Sequence, residues 1–250
     1  MSSNTWPTIP IVVTVAIRNG GLELLPHWLR WYADQCRPCT LCILVVGDIA
    51  RASDVRQQAR SVTWSGVDVR VLTHDDGTCD GHNEQLENIQ QTNWEDGTWV
   101  IWTDLDELHE MPGMTLRRAV EEAARAGQRE VYGYFIDHHA PEGELKAVQP
   151  LPSLFEQFPL ESRFSRIFLR AYDRKVVAAT LGSMVTVGHH EIEGRVAHEP
   201  YAKVHHFKWT ATMVQRIREW GAMNSAHSAW AEECERLSAH LQQHGGRIKI

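Results

Sequence analysis

The sequence predicts an α/β protein whose central sheet is mostly parallel and flanked by helices. Apolar runs of strand length alternate with helical patterns over roughly the first 100 residues. The first, second and fourth of these runs lack polar alternation, which is typical of strands buried on both faces. Polar or acidic residues follow each run, and ligands of such proteins bind at the carboxyl ends of the strands. The sequence thus predicts both a fold class and the edge of the sheet where a site lies.

The first half of the chain carries four predicted strands and three predicted helices. The strands span 9–17, 41–48, 67–76 and 98–107. The first helix starts near Leu25, where Pro26 suits a first-turn position. The second helix has Ser53 or Asp54 near its N-cap, and the third covers 82–94. Because helices connect neighbouring parallel strands, this order favours a mostly parallel sheet.

The second half of the chain is less regular. A helix is predicted over 114–127 and strands over 130–136, 165–177, 184–190 and 202–209. The Pro- and Glu-rich stretch 141–162 predicts loops and short helices. From Thr210 onward the apolar residues recur at helical spacing. We therefore expect one ligand-binding and catalytic domain over 1–209 and a C-terminal helical extension over 210–250. These C-terminal helices are expected to pack on the domain or to form a homodimer.

Composition excludes several classes of protein. The formal net charge is −7 and no block of Lys or Arg occurs, which argues against nucleic-acid binding. No apolar run reaches the roughly 18 residues of a membrane span, and the N-terminus lacks the order of a signal peptide. We therefore expect a cytoplasmic protein without a membrane anchor. Cys36, Cys39 and Cys42 form a C-x2-C-x2-C run without a nearby fourth ligand, which favours buried thiols over a metal cluster.

Acidic residues directly follow the fourth apolar run, within WVIWTDLDELHE (99–110). If the strand continues through Asp104 and Asp106, both side chains point to the same face because side chains alternate along a strand. Two carboxylates can hold Mg²⁺ or Mn²⁺ together with phosphate oxygens. The alternative is that Asp106 and Glu107 begin a solvated turn. The position at the end of a buried strand favours the metal–diphosphate interpretation.

Three segments in this order resemble a known family. VTVAIRNGG followed by an amphipathic helix, then ILVVGDIARASD, then WTDLDEL are similar to the GT-A fold nucleotide-diphospho-sugar glycosyltransferases. The likeness is to small bacterial, family-2-like members, which also carry a late histidine element matched here by HHFKW (205–209). The resemblance covers 9–110 and, more loosely, 185–210. It implies a Rossmann-like sheet and a Mn²⁺ or Mg²⁺ cofactor.

The resemblance also implies a nucleotide pocket at the ends of the first two strands. Thr14, Ala16, Arg18 and Asn19 would line it, and Asp48 would meet the base or the ribose. Many members of the family have Arg-Asn-Glu in the first of these turns, whereas this chain has Arg-Asn-Gly.

A cation site follows from the same resemblance. Asp104 would reach the ribose or the cation, and Asp106 would be the principal metal ligand. Either His205 or His206 would complete the shell, since neighbouring residues of an extended segment point opposite ways, and His205 is slightly favoured. Lys208 lies near enough in the sequence to neutralise phosphate charge.

The catalytic base is the least determined residue of the predicted site. An inverting transferase needs a carboxylate or a histidine within reach of the acceptor hydroxyl. Asp137 follows a predicted strand and is the leading candidate, with Glu156 and Glu161 as alternatives. A separate metal site built from the paired histidines 138–139 and 189–190 also stays open.

The function expected from these residues is transfer of a sugar to a small soluble acceptor, with inversion. The donor would be a nucleotide-diphosphate sugar, most simply a UDP-sugar. Alternatives are a metal-dependent phosphohydrolase or nucleotidyltransferase, because Asp-x-Asp also serves phosphoryl chemistry. A nucleotide-sugar-binding protein without catalytic activity is the third interpretation.

Overall fold

A nine-stranded sheet forms the centre of the described part of the chain. The computed structural model describes residues 9–17, 21–46, 49–61, 64–74, 94–95, 97–183, 185, 190–192, 201–213, 215 and 228–249. The strands are β1 (Ile11–Ile17), β2 (Cys39–Val46), β3 (Val67–His74), β4 (Trp99–Thr103), β5 (Glu107–Glu110), β6 (Glu130–His139), β7 (Leu160–Ser162), β8 (Arg174–Thr180) and β9 (Ala202–His206). The helices are α1 (Leu25–Cys36), α2 (Ile49–Arg60), α3 (Leu116–Arg125), α4 (Leu154–Gln157), α5 (Phe164–Ile167) and α6 (Ser228–Gln243).

The strand order of the sheet is β3-β2-β1-β4-β8-β6-β9-β5, and β7 pairs with β6. The pairs β1–β2, β2–β3, β1–β4 and β6–β9 are parallel, whereas β5, β7 and β8 run antiparallel to their neighbours. The predicted α/β class with a mostly parallel sheet is confirmed, and the arrangement is consistent with a Rossmann-like GT-A fold. The chain builds β2 and β3 on one side of β1 and then returns to place β4 on the other side. The order therefore reverses between β1 and β4.

Burial along the strands explains their places in the sheet. β2 and β4 are buried almost throughout, as continuous apolar sequence requires of central strands. β3 alternates between partly buried and exposed residues, which suits its place at the edge. Helix α1 covers the sheet with Trp28, Leu29 and Tyr32, all fully buried.

The fourth predicted strand was expected to run through Asp106, and this expectation is wrong. β4 ends at Thr103, and residues 104–106 form a turn that leads into β5, a separate strand paired with β9. The turn closes because the Glu107 amide donates to the Asp104 carbonyl at 3.1 Å, and the Asp104 amide donates to the Glu107 carboxylate at 3.1 Å. A single strand could not make these local bonds.

Other predicted elements differ in extent. The strand expected over 165–177 begins only at Arg174, because Ser165 lies in α5, where its amide and hydroxyl both donate to Asp137. Helix α2 begins at Ile49, before the predicted N-cap. The helix predicted over 82–94 and most of the strand predicted over 184–190 lie outside the described residues.

The C-terminal helix packs on its own chain. An apolar cluster joins it to the rest of the protein and consists of Phe164, Leu169, Trp209, Met213, Leu237, Leu241 and Ile248. The Ile248 amide also donates to the Gly143 carbonyl at 2.8 Å. The division at residue 209 and the homodimer stay predictions. Within the described residues, no helix combines the length and the apolar character needed to cross a membrane.

Gly143 offers a test of how the C-terminus is held. A Cβ at this position would lie 1.7 Å from the Ile248 carbonyl oxygen, and its φ is +69°. We expect Gly143→Ala to lower the free energy of unfolding by about 1–3 kcal/mol more than Gly113→Ala. Gly113 is the matched control, because its φ is +78° but a Cβ there meets nothing within 4 Å. Urea unfolding followed by tryptophan fluorescence measures both, and equal losses would contradict the close approach.

Candidate functional site

The candidate site lies where the strand order reverses, at the carboxyl ends of β1 and β4. Ligands of open α/β sheets bind in the crevice at such a point. The turn after β4 carries Asp104, Leu105 and Asp106, and the segment after β1 reaches it again at Gly21. A Cβ on Gly21, whose φ is +79°, would lie 3.3 Å from the Leu105 side chain. The two loops that border the reversal are therefore in contact.

A buried lysine fixes the acidic turn. The Lys175 side chain on β8 is 1% exposed, and its Nζ donates to Glu107 at 2.6 Å and to Asp104 at 3.1 Å. Burial alone would lower the pKa of Lys175, but the carboxylates of Asp104 and Glu107 outweigh it and hold the pKa above its ordinary value. One ammonium and the three carboxylates of Asp104, Asp106 and Glu107 leave a formal charge of −2. The lysine is shared between the buried Glu107 and Asp104, whose side chain is 60% exposed.

The two aspartates of the turn differ in exposure. The Asp104 side chain is 60% exposed, whereas Asp106 is 4% exposed. The Asp106 carbonyl accepts from the Phe207 amide at 2.7 Å, which ties the turn to the end of β9. Side-chain alternation along a strand cannot place Asp104 and Asp106 on one face, because both residues lie in a turn. Cation binding by these two residues stays a prediction, which depends on their position where the strand order reverses.

The predicted nucleotide pocket is only partly described. Thr14 is buried in β1, where its hydroxyl donates to the Ile101 carbonyl at 3.4 Å. Ala16 is partly buried and packs against the small apolar cluster of Leu44 and Val46 near the carboxyl ends of the strands. The other predicted pocket residues, Arg18, Asn19 and Asp48, lie outside the described residues.

Asp137 is a buried carboxylate with a full set of donors. It is 1% exposed and accepts from the Ser165 amide at 2.7 Å, the Ser165 hydroxyl at 2.6 Å and Trp209 Nε1 at 3.0 Å. His206 Nδ1 lies 3.2 Å from the same carboxylate. Burial raises the pKa of Asp137, but His206 and Ser165 outweigh it and lower the pKa to about 2.

The Asp137–His206 pair has the form of a base and its orienting group. Because a carboxylate can only accept, His206 Nδ1 carries the proton in this bond, which leaves Nε2 as the ring nitrogen that can provide a lone pair. The His206 side chain is 13% exposed and Asp137 is 1% exposed, so the histidine is the member nearer to solvent. The sequence predicts Asp137 as the base; in the structure Asp137 is buried and contacts the more exposed His206, and its role as the base stays a prediction.

Two other predicted residues have local partners. Glu156 closes a capping box at the start of α4, in which its carboxylate accepts from the Ser153 hydroxyl at 2.7 Å. Glu156 therefore caps this helix, and its role as an alternative base stays a prediction. Lys208 Nζ lies 5.6 Å from the centre of the Trp209 ring. A role for Lys208 at the phosphates stays a prediction.

His205 and His206 point in opposite directions, as expected for neighbours in a strand. His205 Nδ1 lies 2.9 Å from His138 Nε2, and its Nε2 lies 2.9 Å from Glu110. The predicted ligand set of Asp104, Asp106 and one of these histidines stays a prediction. Each histidine has a different neighbour in β6.

Lys175 is not among the site residues that the sequence predicts. Lys175 is followed in β8 by the uncharged residues VVAAT. A lysine within such an apolar strand indicates a buried charge that is paired with an acid. Its partners could not be identified from the sequence, because Glu107 and Lys175 are distant in the chain and meet only across the sheet.

Comparison with known proteins gives distant likeness only. No protein-family model matches the chain, and no curated protein sequence matches it. Two solved structures of TarS from S. aureus match 94% of this chain at 12% identity and a TM-score of 0.42, and this chain spans 43% of the longer one and 72% of the form covering residues 1–349. A 4-diphosphocytidyl-2C-methyl-D-erythritol synthase matches 70% of this chain and 75% of its own at 13% identity and a TM-score of 0.37. Mouse xyloside xylosyltransferase 1 matches 54% of each chain at 11% identity and a TM-score of 0.32.

The buried ion pair can be tested by removing its cation. We expect Lys175→Met to lower the free energy of unfolding by about 3–5 kcal/mol, because Glu107 is left buried without a counter-charge. The double variant Lys175→Met/Glu107→Gln should recover part of this loss, since the amide is neutral and can still accept from the Asp104 amide. Urea unfolding of the three proteins gives the comparison. A double variant no more stable than the single one would contradict the pairing.

Proposed function

We propose that the protein transfers a sugar from a nucleotide-diphosphate donor to a hydroxyl group of a small acceptor. The observation that carries the proposal is the position of the Asp104–Asp106 turn, at the point where the strand order of an α/β sheet reverses. This is where such sheets bind ligands, and the turn presents an exposed carboxylate there. The family resemblance of the three motif segments supports the same assignment.

The donor set of the turn fits a hard divalent cation. Asp104 and Asp106 offer only oxygen atoms, and Mg²⁺ is usually bound by one or two carboxylates together with substrate phosphates. Lys175 Nζ contacts both Glu107 and Asp104, and this single ammonium faces three carboxylates when Asp106 is included, so a net negative charge remains for a cation. We therefore assign Mg²⁺ or Mn²⁺ to Asp104 and Asp106, with the remaining ligands supplied by the diphosphate and water. When bound, the ion would offset the negative charge that develops on the leaving diphosphate.

His206 is the base in this proposal, and Asp137 orients it. The Nδ1 proton is held by Asp137, so Nε2 can take the proton of an acceptor hydroxyl. Ser165 and Trp209 fix the carboxylate with three further hydrogen bonds, which limits rotation of the pair. The histidine lies opposite Glu107 in the β5–β9 pairing, on the strand next to the acidic turn.

The reaction follows as a single displacement. The acceptor hydroxyl gives its proton to His206 Nε2, and its oxygen forms a bond to the anomeric carbon. The bond from that carbon to the diphosphate oxygen breaks, and its electron pair leaves with the nucleoside diphosphate. Attack from the face opposite the leaving group inverts the anomeric centre. A UDP-sugar is the simplest donor and a small soluble molecule the simplest acceptor.

Cation-dependent nucleotide binding tests the acidic turn. We expect one of UDP, GDP, dTDP or CDP to raise the melting temperature only when Mn²⁺ or Mg²⁺ is present, because ligand bound to the native state stabilises it. Asp106→Asn should abolish that shift, and transfer activity with it. Asp68→Asn is the matched control, since Asp68 is an exposed residue near the start of β3, at the opposite edge of the sheet.

The result separates the alternatives. A cation-dependent shift accompanied by release of free sugar phosphate or by nucleotidyl transfer would favour a phosphohydrolase or a nucleotidyltransferase. A shift without turnover of any donor would indicate a binding protein. No shift with any nucleotide, or an unchanged shift in Asp106→Asn, would contradict the proposed function.

The proposed base has its own test. We expect His206→Gln to reduce kcat by about 10²–10⁴, while the nucleotide-dependent thermal shift is kept. Asp137→Asn should also reduce kcat, because an amide no longer requires the proton on Nδ1. His139→Gln is the control, a nearby buried histidine whose Nε2 lies 2.6 Å from the Ser162 hydroxyl. Full activity in His206→Gln would exclude it as the base.

A further inference from the structure

A cluster of two histidines and a glutamate lies outside the residues to which the proposed function gives a role. His138 on β6, His205 on β9 and Glu161 on β7 each place one ligand atom within 4.8 Å of the others. His138 and Glu161 are directly paired across β6 and β7. We propose that these three residues bind a divalent transition-metal ion of the zinc class, at a site distinct from the Asp104–Asp106 turn.

The outer hydrogen bonds of the two histidines determine where their lone pairs point. His138 Nδ1 lies 2.9 Å from the Phe158 carbonyl, which can only accept, so this nitrogen carries the proton. His205 Nε2 lies 2.9 Å from the Glu110 carboxylate and donates to it in the same way. The neutral rings then direct two lone pairs, on His138 Nε2 and His205 Nδ1, at each other across 2.9 Å. Two facing lone pairs repel unless a cation lies between them.

A metal ion explains this arrangement better than a shared proton. A proton between the rings is bound by the two nitrogens alone, whereas a metal ion also uses a neighbouring carboxylate as a ligand. Glu161 brings a third ligand atom, and it is exposed, whereas both histidines are buried. An exposed ligand gives the ion a path from solvent and leaves room for a water molecule as a fourth ligand. Two histidines, one glutamate and a water form a known zinc ligand set.

The surroundings match those of metal-binding histidines. Such residues usually donate their second nitrogen to a carboxylate or a backbone carbonyl, and here both forms occur, at Glu110 and Phe158. Aromatic rings fix the two imidazoles. The Phe207 ring stacks on the His138 ring with 4.5 Å between the ring centres. The Phe155 ring packs edge-on against both imidazoles, with ring centres 5.4 Å from His138 and 4.9 Å from His205. The rings are thus held in place before an ion arrives.

The ligand types also select the metal. Imidazole nitrogen suits zinc, cobalt, nickel and iron, whereas Mg²⁺ and Mn²⁺ prefer oxygen. Zinc–nitrogen bonds of about 2.0–2.1 Å in a tetrahedral site separate the two nitrogens by about 3.3 Å. The rings must therefore move apart by about 0.4 Å from 2.9 Å, which small side-chain rotations allow. A bound ion would join β6, β7 and β9, and Glu110 would extend the link to β5.

Metal binding by untagged full-length protein tests the proposal. The protein is stripped with a chelator, incubated with stoichiometric Zn²⁺ or Co²⁺ in millimolar Mg²⁺, and desalted. We expect it to retain an equimolar amount of either metal by elemental analysis, with the visible absorption of low-coordinate Co²⁺. Glu161→Gln should lose this binding without affecting folding, because Glu161 is exposed. Glu110→Gln should weaken it by about 10–100-fold.

The controls keep the outcomes distinct. His138→Gln should lose the metal, and His139→Gln, its buried neighbour in β6, should keep it. Failure of the wild-type protein to retain Zn²⁺ or Co²⁺, or full retention by Glu161→Gln, would overturn the proposal. The test does not depend on sugar transfer, because nucleotide-dependent thermal shifts and the Asp106→Asn variant measure the other site separately.

Discussion

The charge balance around one buried lysine governs the arrangement of the acidic turn. Lys175 extends from the antiparallel strand β8 to Glu107 and Asp104, which belong to the turn after β4 and the start of β5. A fully buried ammonium is tolerated only when carboxylates compensate it, so the lysine dictates where those carboxylates lie. Lys175 thus links the buried Glu107 to Asp104, whose side chain is 60% exposed.

Period-two alternation in β6 and β9 separates the two histidine systems. Asp137 and His206 are paired in the parallel register, as are Ile136 and His205, so the adjacent residues project from opposite faces. On one face Asp137 orients His206, the proposed base. On the other face His205 meets His138, the pair proposed to bind metal. One pair of adjacent strands thereby supplies two chemically distinct sites without a shared side chain.

The structure adds contacts to the predicted residues, some between near neighbours in the chain and others between distant segments. The run through Asp106 reads as one strand, but the Glu107 carboxylate bonds back to the Asp104 amide and closes a turn. Asp137, the predicted base, accepts hydrogen bonds from Ser165 and Trp209. Glu156, the alternative base, caps a helix, as the Ser153–Glu156 spacing itself indicates. The catalytic roles of both residues stay predictions.

The sequence by itself determined the fold class, the buried strands and the edge of the sheet where polar residues gather, because these follow from the local alternation of apolar runs with helices. It also indicated that His205 and His206 face opposite ways. Only the tertiary structure decided which side chains meet. The pairing of Lys175 with Glu107, of Asp137 with His206 and of His138 with His205 depends on strand order and register, which bring together residues that are far apart in the chain.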